Sequence, residues 1–368
     1  RAAGRGGRGL RRGQPHTGRQ PARRVGGRQQ WLEPVGAELH AEQTAGPAEE
    51  HWLHVAQLGR PELRAAGPDR ADALYNLAKA YDMNGQRKES ADTLQTLVTQ
   101  YPGSQFATEA TFRLAEYEFS TGKYVLAADH YAEVIKAKGN NAEFHDQALY
   151  KRGWSLYKAS DYDAAQPVFF QVVEELEPKV KSTDKGTSQT ALKLMDDTLN
   201  IISLGFIQLE GAKSVDQYFK KVGAKSYEAD VYMNLGQTYL SKRLFKNAAD
   251  TFEYFVAKHP FDPRAPEFSS ASIQTYQDGG FPSEVIPAKE NFLKLYGKSS
   301  EFWAKADEKA REALLPRLQS HIVDLAKYWH ATAQQTKKEE DYIKAAGWYR
   351  EHLALNPPEQ EAITINQL

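Results

Sequence analysis

Residues 71–102 read ADALYNLAKAYDMNGQRKESADTLQTLVTQYP. Leu74, Leu77, Ala78 and Tyr81 fall at i, i+3, i+4 and i+7, which is one apolar face of a helix. Asn84 and Gly85 then supply a stop, since glycine accepts the left-handed geometry that ends helices. Leu94, Leu97, Val98 and Tyr101 make a second face, and Pro102 closes it because proline cannot continue a helix. The small residues Ala78 and Ser90 mark where the two helices approach closely. A bulky side chain at either place overpacks the contact, at a cost of roughly 1–3 kcal/mol. The stretch is therefore a helix, a short turn and a second helix.

Working outward, the same pattern recurs. A second unit starts near Thr108, with Phe112, Leu114 and Ala115 on its first helix, Gly122 at the turn, and Ala127, Tyr131 and Val134 on its second. A third starts near Asp146, with Leu149, Gly153, Leu156, Tyr162, Ala165, Phe169 and Val172. Residues 177–190 are polar and contain Pro178 and Gly186, so they read as an exposed loop between repeats. A degenerate fourth pair places Leu194, Leu199, Ile202, Leu204, Gly205 and Leu209 on a buried helix and Val215, Tyr218 and Phe219 on a short partner. The fifth is nearly as regular as the first: Tyr232, Leu235, Gly236, Tyr239, Ala248, Phe252, Phe255 and Pro260. A weak sixth pair surrounds Gly279 and Gly280, with Ile273 and Tyr276 before them and Val285, Phe292 and Leu295 after. A charged helix follows from about Glu301, and Pro316 predicts a kink or a fresh start within it. Leu318, Ile322, Leu325 and Trp329 form a seam that wants another helix, and Ala345, Tyr349 and Pro357 suit a seventh second helix. Ala326 and Ala345 are separated by about two turns more than the repeat spacing allows.

This pattern of about 34 residues resembles the tetratricopeptide repeat, whose large, large, small, large and small, large, small signature is met by Leu74, Leu77, Ala78, Tyr81, Ser90, Leu94, Leu97 and Pro102. Ser90 and Leu97 stand where alanine is usual. The resemblance covers roughly residues 71–358 and implies an all-α solenoid of about seven helix pairs. A finer likeness lies in Tyr101-Pro102-Gly103-Ser104 followed by Ala107, Ala110, Leu114, Ala115, Glu116, Gly122, Lys123, Tyr124, Ala127, Val134 and Ile135. It is similar to the repeats of bacterial envelope proteins, such as the lipoprotein of the outer-membrane β-barrel assembly machine and the periplasmic Tol-associated coordinator. That likeness implies a Gram-negative periplasm or outer-membrane association, with a cytoplasmic setting left open.

Residues 1–70 differ sharply, with twelve arginines and no Lys, Ser, Tyr, Phe, Ile, Asn or Met. No apolar period emerges there, and such a stretch cannot offset its own ordering entropy. Three readings stand, the first two being a disordered Arg/Gly arm and translation of a shifted, GC-rich frame. A short helix around Trp31-Leu32 or His51-Trp52-Leu53-His54 is a third. The expected organisation is thus 1–70 low-complexity, 71–176 repeats one to three, 177–190 loop, and 191–368 repeats four to seven. The chain opens on Arg1 and stops at Asn366-Gln367-Leu368 without a helix end, so it reads as a fragment, and a missing leader carries no weight.

The chain holds no cysteine, which removes disulfides, thiolate zinc sites and cysteine nucleophiles. A net charge of −1 gives no global pull toward nucleic acid or anionic lipid. No run of about 18 apolar residues exists to span a bilayer.

A catalytic constellation is not found, and no cofactor is expected. Gly4, Gly6 and Gly9 satisfy a G-x-G-x-x-G spacing, but no strand precedes them. Lys185-Gly186-Thr187 lacks the upstream glycine of a phosphate loop. Glu50, His51 and His54 have a metal-like spacing common by chance. His130, His145, His259, His321, His330 and His352 are scattered. The Arg5-Gly6-Gly7 and Arg8-Gly9 run is the one nucleic-acid signal, because such arms bind phosphate by charge.

A groove is the better candidate site. First helices of stacked repeats line a concave surface. Just off their packing faces lie Tyr75, Phe112, Tyr150 and Met233, then Asn76, Arg113, Lys151 and Asn234, and one turn on Lys79, Glu116, Trp154 and Gln237. Rings beside cations and amides suit a peptide or helix from a partner protein. The competing reading is that these rings only pack between neighbouring repeats. A carboxylate clamp of the family's kind is not expected, since only Asn76 and Lys79 sit suggestively. The sequence thus predicts a non-enzymatic scaffold, in bacterial envelope assembly, with a protein partner and no small-molecule substrate. The alternatives are an RNA-associated protein using the arm and a non-catalytic piece of a larger enzyme.

Overall fold

The computed structural model describes residues 68–137 and 142–355. All of them belong to the second of two compact units, Pro47–Leu368. The Arg/Gly segment, Gly4, Gly6, Gly9, Trp31, Glu50, His51 and His54 lie outside the described residues, as does the stretch from 356 on.

Among the described residues the structure is helical throughout. The helices are α1 (Pro68–Met83), α2 (Arg87–Gln100), α3 (Ala107–Ser120), α4 (Tyr124–Lys136), α5 (Ala142–Lys158), α6 (Tyr162–Val180), α7 (Lys185–Gln208), α8 (Ala212–Val222), α9 (Glu228–Ser241), α10 (Phe245–Lys258), α11 (Ala265–Gly279), α12 (Pro282–Tyr296), α13 (Glu301–Lys305), α14 (Glu308–Thr336) and α15 (Glu339–Ala354). Most helices pack on the next in sequence, so the repeats stack as antiparallel pairs. First helices also meet across repeats: α3 touches α5, and α7 packs broadly on α9. The second contact arises because α8 is only 11 residues long and leaves the flank of α7 open to α9.

The turns within the first, second, third and fifth repeats follow one rule. A backbone N–H reaches back five residues to a carbonyl, as from Gln86 to Tyr81 at 2.8 Å, Lys123 to Glu118 at 2.8 Å, Asp161 to Leu156 at 3.0 Å and Leu244 to Tyr239 at 2.9 Å. This closure needs a left-handed residue just past the helix. Gly85 and Gly122 supply it with φ of 75° and 79°. In the third and fifth repeats the same place is taken by Ser160 (φ 63°) and Arg243 (φ 58°), which pay for the geometry in steric strain. Between repeats the linkers also match: Phe106 and Arg264 precede their helices with the same φ of −90° and ψ of −10°.

Packing inside the pairs confirms the small-residue rule and sharpens it. Ser90 is buried, and its hydroxyl donates to the Ala78 carbonyl at 2.8 Å, so the serine is a cross-helix tie as well as a small residue. At Gly153 a β-carbon would lie 2.6 Å from the Phe169 ring, and at Gly236 one would lie 2.1 Å from the Phe252 ring. The rings occupy the space that a side chain on the facing helix would need.

Two expectations are corrected. Residues 177–190 are not a loop: α6 runs to Val180, α7 starts at Lys185, and only Lys181–Asp184 connect them. Asp184 caps α7 by accepting from the Thr187 N–H at 2.7 Å, so a polar run read as a loop is largely helix ends. Its exposure was read correctly, since most of these side chains face solvent. Pro316 does not start a new helix; α14 runs through it. The fresh start lies at Asp307, whose carboxylate accepts from the Ala310 N–H at 2.7 Å. The extra turns expected before Ala345 extend α14 to Thr336, giving a 29-residue helix.

Candidate functional site

The candidate residues sit on the first helices α1, α3, α5 and α9. Their rings divide into two groups. Tyr75, Phe112 and Trp154 are buried. Tyr75 stacks on Phe106 at 4.5 Å, Phe112 packs against Tyr131 and Phe144 at 5.8 and 5.1 Å, and Trp154 meets Phe169 edge-on at 6.3 Å. Tyr75 and Phe112 thus pack toward the next repeat, the reading that competed with the groove, while the ring contacts of Trp154 lie within its own repeat. Burial, and then a hydrogen bond with Glu109, drive the Tyr75 hydroxyl well above its ordinary pKa, so it is a neutral seam group. Tyr150 and Met233 stay half-buried, each resting on the central core with one side open.

The polar candidates form bridges between successive first helices. Lys151 is buried, and its Nζ donates to Glu116 Oε2 at 3.1 Å, tying α5 to α3. The same ammonium stands 5.2 Å from the Phe119 ring centre. Glu116 also accepts from the Tyr131 hydroxyl, so one carboxylate joins α3, α4 and α5. Two repeats further on, Asn234 Nδ2 donates to Asn200 Oδ1 at 3.1 Å while Asn234 Oδ1 accepts from Ser203 at 2.8 Å, tying α9 to α7. Asn76 is held within its own helix by Asp72 at 3.3 Å, and Lys79 lies 6.0 Å from the Tyr75 ring centre. Arg113 remains 44% exposed while pairing with Glu109 at 2.7 Å.

Sequence reasoning placed Lys151 and Asn234 on the right face but did not anticipate that they are already engaged. It passed over Asn200 and Ser203. Two polar residues set three apart inside the apolar run Leu199–Leu204 were the available signal.

Paired helices stacked in sequence, whose first helices meet at α3–α5 and α7–α9 and are tied there by polar bridges, define an α-solenoid. Residues 72–104 and 147–178 match the family model of the tetratricopeptide repeat. The chain carries tetratricopeptide repeats, and a fold of this kind serves as a scaffold for protein or peptide partners. No curated protein sequence matches the chain significantly. Among solved structures, a tetratricopeptide repeat protein from Parabacteroides merdae aligns at 13% identity over 80% of this chain and 96% of its own, with a TM-score of 0.32. The C-terminal part of a repeat-containing protein from Cytophaga hutchinsonii aligns at 16% identity over 79% and 98%, with a TM-score of 0.29. The TPR2AB domain of yeast Sti1, solved as a pHSP90 complex, aligns at 11% identity over 79% and 100%, with a TM-score of 0.30.

Proposed function

We propose that this chain is a non-enzymatic scaffold that holds a segment of another protein along the layer formed by α3, α5, α7 and α9. The observation that carries the reading is the run of half-buried apolar side chains on successive first helices, Phe119, Tyr150, Met195 and Met233, resting on one shared core. Rings and thioethers held with one side open are suited to grip apolar side chains, and the thioether adapts to varied shapes. Beside them Asn200 and Arg113 supply exposed donors for a partner's backbone or carboxylates. Buried Trp154 belongs to the core beneath Tyr150 and Met233, and half-buried Asn234 lies beside Met233; Tyr75, Asn76 and Lys79 lie on α1, outside this layer, and Phe112 is buried in a separate cluster on α3.

The setting we propose is a bacterial envelope assembly, in the periplasm or at the outer membrane. The support is the resemblance carried by Tyr101-Pro102-Gly103-Ser104 and the residues that follow it. Fractionation of cells expressing the natural gene tests that setting, and recovery only from the cytoplasm would overturn it. The Arg/Gly-rich composition of residues 1–70 supports a second reading, RNA association, which removal of that segment separates from the first.

A photo-crosslinking residue placed at Arg113, Tyr150 or Met233 tests the surface, with Gln95 and Asp129 on second helices as controls. Partner bands are expected from the first-helix positions alone. Equal bands from Gln95 and Asp129 would sink the assignment.

A further inference from the structure

We draw no further inference here: the strongest candidate, the His145–Asp146–Glu175 side-chain cluster where α5 meets α6, is a solvent-facing group whose Asp146 carboxylate already holds the Lys179 ammonium at 2.6 Å, and nothing else in the structure points to an ion there.

Discussion

Replacing Gly236 by alanine tests how the repeats set their helix spacing. The new β-carbon would lie 2.1 Å from Cε1, 2.4 Å from Cζ and 2.8 Å from Cδ1 of Phe252. Carbon atoms in contact prefer about 3.5–4.0 Å, so the ring must retreat by more than about 1 Å. It has nowhere to go, because Phe252 is 1% exposed and packs edge-on to Phe268 at 6.1 Å. Overpacking of this severity belongs near the upper end of the usual range, about 3 kcal/mol. Alanine returns about 1 kcal/mol of helix propensity, leaving a net loss of about 2 kcal/mol. The first repeat shows an arrangement that accommodates the methyl group: Ala78 and Leu94 share one buried cluster. Phe252→Leu therefore makes room. Alone it leaves a void and costs roughly 1–2 kcal/mol. Together with Gly236→Ala it should cost at least about 1 kcal/mol less than the two losses added. Urea unfolding followed by circular dichroism gives the stabilities. Amide exchange in α9 and α10 localises the loss, since stacked repeats can open piecewise. If Gly236→Ala costs the same in the Phe252→Leu background as in the parent, the ring is not what excludes a side chain there.

Three further outcomes follow from the geometry. Ser160→Gly and Arg243→Gly relieve left-handed strain at the third and fifth turns, so each should raise stability by about 1 kcal/mol, read as a higher urea midpoint with an unchanged slope. Burial, and then repulsion from Lys289 and Arg317 against a partial offset by Asp324, pushes the His321 pKa down from 6.5 to about 4. The fold thus holds the neutral imidazole. Its contribution is intact above the unfolded value near 6.5 and is lost as pH falls from there toward 4. Roughly 2–3 kcal/mol is at stake, allowing for screening of the exposed edge. His321→Leu should flatten that acid limb in pH-dependent denaturation, and an unchanged limb would reject the assignment. Glu116→Gln removes the charge that Lys151 and Tyr131 share, so it should cost about 1–2 kcal/mol and raise amide exchange in α4 and α5 while leaving α10 unaffected.

Legibility was uneven for physical reasons. Leu74, Leu77, Ala78 and Tyr81 announced α1 because a 3.6-residue period survives in sequence whenever one face is buried. The span 177–190 misled because polar residues and Pro178 belong equally to loops and to exposed helix ends, and only the cap at Asp184 separates them. Of the two outcomes expected at Pro316, the fresh start fails for a related reason. Proline argues against a helix interior on average, yet burial of Leu314, Leu318 and Ile322 on one seam carries α14 through it. The site was half legible. Position along the repeat put Tyr75, Phe112, Tyr150 and Trp154 on the first helices, but not which of them the neighbouring repeat would cover.

The sequence by itself determined the helices, their pairing and the repeat, since these depend on contacts between residues close along the chain. Tertiary structure alone decided which of those rings are sealed and which stay open. It likewise decided that Lys151 reaches Glu116 and Asn234 reaches Asn200, 35 and 34 residues away. Such partners meet only when one repeat is laid on the next, and the angle of that stacking is set by many side-chain volumes at once rather than by any local pattern.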